Sequence, residues 1–275
     1  MPTSADLERL FDQPEEKIDL GRAALLVART EFPGLQPGPD LHRLDSLAAE
    51  ARPHLALQAD PAGRVEVLRD FLSGLCGFRG NEKNYHDPAN SCLNRVLQRR
   101  TGIPITLSVV YMEVGRRAGL PLFGVGLPGH FLVKYQDRQE RIFVDPFHHG
   151  RILSAAGCRS VFESLHEGRV AFDDQMLAAV DKRSIVLRML HNLRRIYLEK
   201  KQLRKALAVE EMVLALNPAS ADDLKLRGLL HCQLGHHREG RQDLESYLST
   251  NPDASDAGQI RQTIRELTRV SVLRN

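Results

Sequence analysis

Two residues in this chain have types and spacing suited to moving a proton: His130, near the start of HFLVKY, and Asp145, near the end of RIFVDP. Between these β-branched and aromatic runs lies the polar stretch QDRQE, a turn by composition. A turn centred on Asp137–Arg138 pairs the runs antiparallel and sets His130 directly opposite Asp145. Cβ atoms so placed lie roughly 4.5–5.5 Å apart, within reach of a carboxylate–imidazole hydrogen bond. A carboxylate that holds one ring nitrogen leaves the other as a general base, which is two-thirds of a nucleophilic triad. The bland counterpart is a structural His–Asp bond at the end of a sheet. This register sends Phe131, Val133, Tyr135, Ile142 and Val144 to the opposite, core-facing side, but it opposes Lys134 to Arg141. A two-residue slip keeps the faces and moves His130 and Asp145 to a diagonal.

A base needs a nucleophile. Of the four cysteines, Cys92 stands at the start of the helical run SCLNRVLQRR, with Asp87 or Asn90 in NYHDPANS as cap. A helix N-terminus lowers a thiol pKa. A buried cysteine acting as a small hydrophobe is the competing expectation. Cys76, Cys158 and Cys232 have no such position, and no CxxC pair suggests zinc or a disulfide framework. His148 and His149 invite a metal reading, but neighbours on a strand point to opposite faces and make poor joint ligands. No metal or cofactor is expected.

The positioning elements can be read from periodicity. Residues 1–75 read as helices: Ile18–Phe32, then, after the loop PGLQPGPD, the runs LHRLDSLAAEARPHL and AGRVEVLRDFLSGLCGF. GIP (Gly102–Pro104) ends the Cys92 helix, and a second runs from about Thr106 to Ala118 with Leu107, Val110, Tyr111, Val114 and Ala118 inward. The period then drops to two through LFGVGL, HFLVKY and RIFVDPF, while PFHHGRILS leaves the sheet and 158–180 is irregularly helical. Helices followed by an antiparallel meander give an α+β domain over 1–182.

Residues 183–275 are a repeat region. KALAVEEMVLALNP and EGRQDLESYLSTNP end in Asn-Pro at 217–218 and 251–252, a 34-residue period with helix-turn-helix content, the tetratricopeptide signature. Repeats opening near Ser184 and Ala221 and a capping helix from about Ser255 make two units, below the roughly three that stand alone. The tail is therefore expected to lean on the N-terminal domain, and its first helix to bury Leu187, Leu190, Leu193 and Tyr197.

Composition is that of a globular protein, 42% hydrophobic and 27% charged, and a net charge of +3 demands no nucleic-acid partner. No apolar run is long enough for a membrane helix, and the acidic start, MPTSADLERLFDQPEEK, is unlike a signal peptide, so a cytoplasmic location is expected.

The stretch Asn84–Phe147, with DPANS, RRTGIPITLS, PGHFLV and VDPF, resembles the SirB-type branch of the transglutaminase-like superfamily, in which tetratricopeptide repeats follow the core. The resemblance implies a papain-type fold in which a cysteine at a helix N-terminus, a histidine opening one strand and an aspartate ending the next form the site. His130 and Asp145 match the last two. The helix before the sheet, where the nucleophile should sit, begins PITLS and offers only Thr106 and Ser108. Two functions stay open: a thiol- or hydroxyl-dependent acyl transferase or amide hydrolase acting on a protein or peptide, or a catalytically inactive regulatory adaptor that binds a partner protein through its repeats.

Overall fold

The computed structural model describes residues 4–273, in two compact units: Gln13–Met189, and a second formed by residues up to Asp12 together with those from Leu190 onward.

In the first unit, Asp19 caps α2 (Leu20–Ala28) by accepting from the Arg22 amide at 2.9 Å. α3 (Pro37–Ala56) begins inside the segment expected to be a loop. Proline fits the first helical turn, where no amide hydrogen is needed, so Pro37 starts the helix instead of barring it. α4 (Pro61–Arg69) runs on into a π-helical turn, Asp70–Leu75. Asp87 caps a 3₁₀ turn (Pro88–Ser91), after which come α5 (Leu93–Arg99) and α6 (Pro104–Arg117).

α6 is buried all round from Pro104 to Gly115, not on one stripe. It packs against α2, α3 and α5 as well as the sheet, so no side of its first three turns is left to water.

The sheet is a meander of four antiparallel strands: β3 (Phe123–Val125), β4 (Leu132–Gln136), β5 (Arg141–Asp145) and β6 (Arg151–Leu153). A short parallel pair, β1 (Arg79–Gly80) with β2 (Thr101–Gly102), lies apart from it in the chain. RIL, expected to leave the sheet, is its fourth strand, because the turn after Asp145 folds it back onto β5. Val133 pairs with Val144 and Lys134 with Phe143, the slipped register. The slip moves Lys134 away from Arg141, and its ammonium donates to the Leu177 carbonyl at 3.0 Å. Both faces of the hairpin are buried. Leu132 and Phe143, on the face shared by His130 and Asp145, pack with Val125, Leu153, Leu177 and Cys158 of α7 (Ala155–His166). On the other face Val133 and Val144 are buried, whereas Tyr135 and Ile142, expected in the core, are only half-buried near the loop.

The repeat unit contains α9 (Leu203–Leu216), α10 (Ala221–Gln233), α11 (His237–Thr250) and α12 (Ala257–Leu273). α8 (Lys182–Glu199) spans the division between the units. α9 packs against α10, α10 against α11, and α11 against α12. In α8, Leu190, Leu193 and Tyr197 are buried as expected, while Leu187 is half-buried and Val186 and Met189 are buried instead. The 34-residue period extends to the backbone: Gln202 and His236 precede α9 and α11 with φ/ψ of −86/64 and −83/66. α1 (Ser4–Phe11) lies against α9 and buries Leu7, Leu10 and Phe11. The short repeat array thus gains a helix from the opposite end of the sequence.

Candidate functional site

His130 is placed by a turn that its own sequence dictates. In Leu127–Pro128–Gly129–His130 the His130 amide donates to the Leu127 carbonyl at 3.1 Å, and Gly129 has φ +75. Proline presets the first central position and glycine supplies the positive φ at the second, a type II turn. The Arg188 guanidinium donates to the Leu127 and His130 carbonyls at 2.7 and 2.6 Å and lies over the Phe131 ring.

Asp145 ends β5. Its Oδ1 accepts from the Phe147 and His148 amides at 3.1 and 3.3 Å, which fixes the carboxylate plane. Its Oδ2 lies 2.8 Å from His130 Nε2, so the slipped register still brings the expected pair into contact, across the diagonal. His130 is 4% exposed and Asp145 1%. Burial pushes the Asp145 carboxyl up, but the hydrogen bonds and charges of His130 and His148 outweigh it and hold the group below the ordinary carboxylate range.

His148 was missed as a site residue. Its Nδ1 is 2.7 Å from the same Oδ2, and its side chain is half-exposed. The reading of His148–His149 assumed a strand through both. β5 in fact ends at Asp145, and Asp-Pro-Phe-His turns back so that the fourth residue meets the first. An aspartate followed by proline is the signal that could have revealed it, since such side chains bond to the backbone two and three residues on.

Aromatic rings surround the pair. Phe147 lies edge-on to His130, His148 and Tyr85, with centroids 6.3, 5.1 and 5.9 Å away. Tyr85 belongs to NYHDPANS, which Asn90 folds by donating to the Asn84 and Tyr85 carbonyls at 2.7 and 3.2 Å. Asn90 therefore braces the loop instead of capping α5. Gly80 is required opposite Phe147, because a Cβ there would come within 2.7 Å of the Phe147 ring and carbonyl.

Cys92 sits at the N-cap position of α5, one place before the first turn, and is fully buried. Its thiol donates to the Pro88 carbonyl at 3.4 Å. Thr106 and Ser108 lie in the first turns of α6, fully buried, and neither hydroxyl has a hydrogen-bond partner. Neither is therefore bonded to His130. Burial, with the Asp145 charge adding, pushes the Cys158 thiol up to about 12, so it stays protonated.

Residues 41–191 match the profile described as transglutaminase-like superfamily. The chain belongs to that superfamily. Residues 193–265 match the tetratricopeptide repeat. A UPF0162 protein of Xylella fastidiosa is 34% identical over 262 residues, 92% of each chain. UPF0162 protein PA3419 of Pseudomonas aeruginosa is 30% identical over 266 residues, covering 97% of this chain and 96% of its own. Protein SirB1 of Salmonella typhimurium is 24% identical over 250 residues, 89% and 90% of the two chains. No solved structure matches. No described helix is long and apolar enough to cross a membrane.

Proposed function

We propose that this transglutaminase-like protein is a regulatory adaptor that has lost acyl-transfer chemistry and binds a partner protein through its tetratricopeptide repeats. One observation carries this reading: at the head of α6, where the superfamily nucleophile belongs, the two hydroxyls are sealed in the core with no bond to His130. A triad nucleophile must reach its base within hydrogen-bond distance, about 2.6–3.2 Å. Cys92 is shielded as well, fully buried with its thiol on the Pro88 carbonyl. The repeats supply what an adaptor needs, because stacked helical hairpins build extended binding surfaces.

A second reading, thiol-dependent acyl transfer or amide hydrolysis by Cys92, draws on the assembled His130–Asp145 pair. Iodoacetamide labelling of the full chain at neutral pH, read by peptide mass, separates the two. In the adaptor, Cys92 is alkylated more slowly than the half-buried Cys76 and Cys232, and His130→Ala leaves its rate unchanged. Selective labelling of Cys92 that slows several-fold in His130→Ala would establish the enzyme instead.

A further inference from the structure

We propose that His130, Asp145 and His148 form a binding site for a borderline divalent transition cation, zinc in the first instance. Three donor atoms converge here from three pieces of backbone: His130 Nε2 from the turn before β4, Asp145 Oδ2 from the end of β5, and His148 Nδ1 from the turn after it. All three lie within 4.8 Å of one another. The nitrogen-to-oxygen separations are 2.8 and 2.7 Å. On a tetrahedral ion with bonds of about 2.1 Å neighbouring ligand atoms stand ~3.4 Å apart, so the donors need open by less than about 1 Å to surround one cation.

The donor set is also right. Two imidazoles and a carboxylate suit zinc and its first-row neighbours and disfavour calcium and magnesium, which take oxygen ligands. When the ion binds, each neutral ring carries its proton on its other nitrogen and turns a lone pair toward the metal. Binding therefore competes with protons on the donor nitrogens and weakens as pH falls. The carboxylate is already oriented, since its other oxygen is held by the Phe147 and His148 amides. Two of the ligands, His130 and Asp145, are buried. His148, 49% exposed, is the one that can swing the final distance and the side from which the ion enters. Three protein ligands leave coordination positions for water or a partner's side chain.

The test uses the full-length protein, stripped with chelator and titrated with Co²⁺ followed by visible d–d absorption, then with Zn²⁺ in competition. One equivalent should bind, with zinc displacing cobalt. His148→Ala, at a half-exposed position, keeps the fold as judged by its melting curve and should weaken binding on the order of 100-fold. Asp145→Asn should abolish it. The exposed ring pair His231–His236, with nitrogens 3.2 Å apart, is the internal control, and His231→Ala/His236→Ala should leave the titration unchanged. Absence of stoichiometric binding, binding indifferent to His148→Ala, or binding lost with the control pair would each overturn the proposal.

Discussion

At the residue scale, buried hydroxyls separate the two functional readings. A hydroxyl taken from water without a partner costs about 1–3 kcal/mol, so Thr106 and Ser108 burden the fold at the head of α6. Thr106→Val fills the same space without that cost. It should raise the stability of the full chain by ~1 kcal/mol in urea unfolding and leave the His130–Asp145 contact intact. Destabilisation by a similar amount would mean that the hydroxyl has a partner, and with it a role. The histidine and aspartate were legible from spacing because cross-strand geometry is nearly the same in every hairpin. His148 was not, because its position depends on where one strand stops.

Among elements, the repeats offer an internal comparison. Lys201 and Gly235 occupy equivalent places before α9 and α11, and both are left-handed, with φ +54 and +79. Glycine adopts that conformation freely, whereas a residue with a Cβ pays roughly 1 kcal/mol. Lys201→Gly should therefore stabilise the protein by up to about 1 kcal/mol, offset in part by the greater freedom of glycine in the unfolded chain. A fall in melting temperature would show that the lysine side chain matters to the turn. The 34-residue period, the turn residues and the strand alternation were all readable because each is a local preference repeated in register. The burial of α6 on every side and the coverage of both faces of the hairpin were not, since a partner element far along the chain decides them.

For the molecule as a whole, pH should act through the repeat unit. The Arg194 guanidinium serves two carboxylates, Glu210 and Asp223. Burial pushes fully buried Glu210 up to about 7, against the pull of Arg194 and with the Asp223 charge adding to the rise. Asp223 is held below the ordinary range: its burial is outweighed by hydrogen bonds from Ser220 and Arg194 and by the Arg194 charge. A carboxyl whose folded pKa is raised keeps its proton while the unfolded chain releases it. Its contribution is therefore full at acid pH and declines as pH rises from 4.5 to about 7. Across that window the unfolding free energy should lose on the order of 1–3 kcal/mol to this group. Glu210→Gln should flatten the slope and raise stability at pH 8. A variant whose pH profile overlays that of the parent would remove Glu210 as the source.

The sequence by itself determined the α+β class, the tetratricopeptide tail, the hairpin and the pairing of His130 with Asp145. These follow from periods of 2, 3.6 and 34 residues and from turn chemistry, all written within a few tens of neighbouring positions. Tertiary structure alone decided the rest. α1 joined the repeats because a two-repeat stack leaves apolar surface that Leu7, Leu10 and Phe11 can cover, and no local pattern records which end of the chain will cover it. The hydroxyls of Thr106 and Ser108 were sealed by helices and a sheet drawn from distant segments. His148 reached Asp145 because the chain turns back at Pro146. Burial and convergence depend on what arrives from elsewhere in the chain, and periodicity carries no information about that.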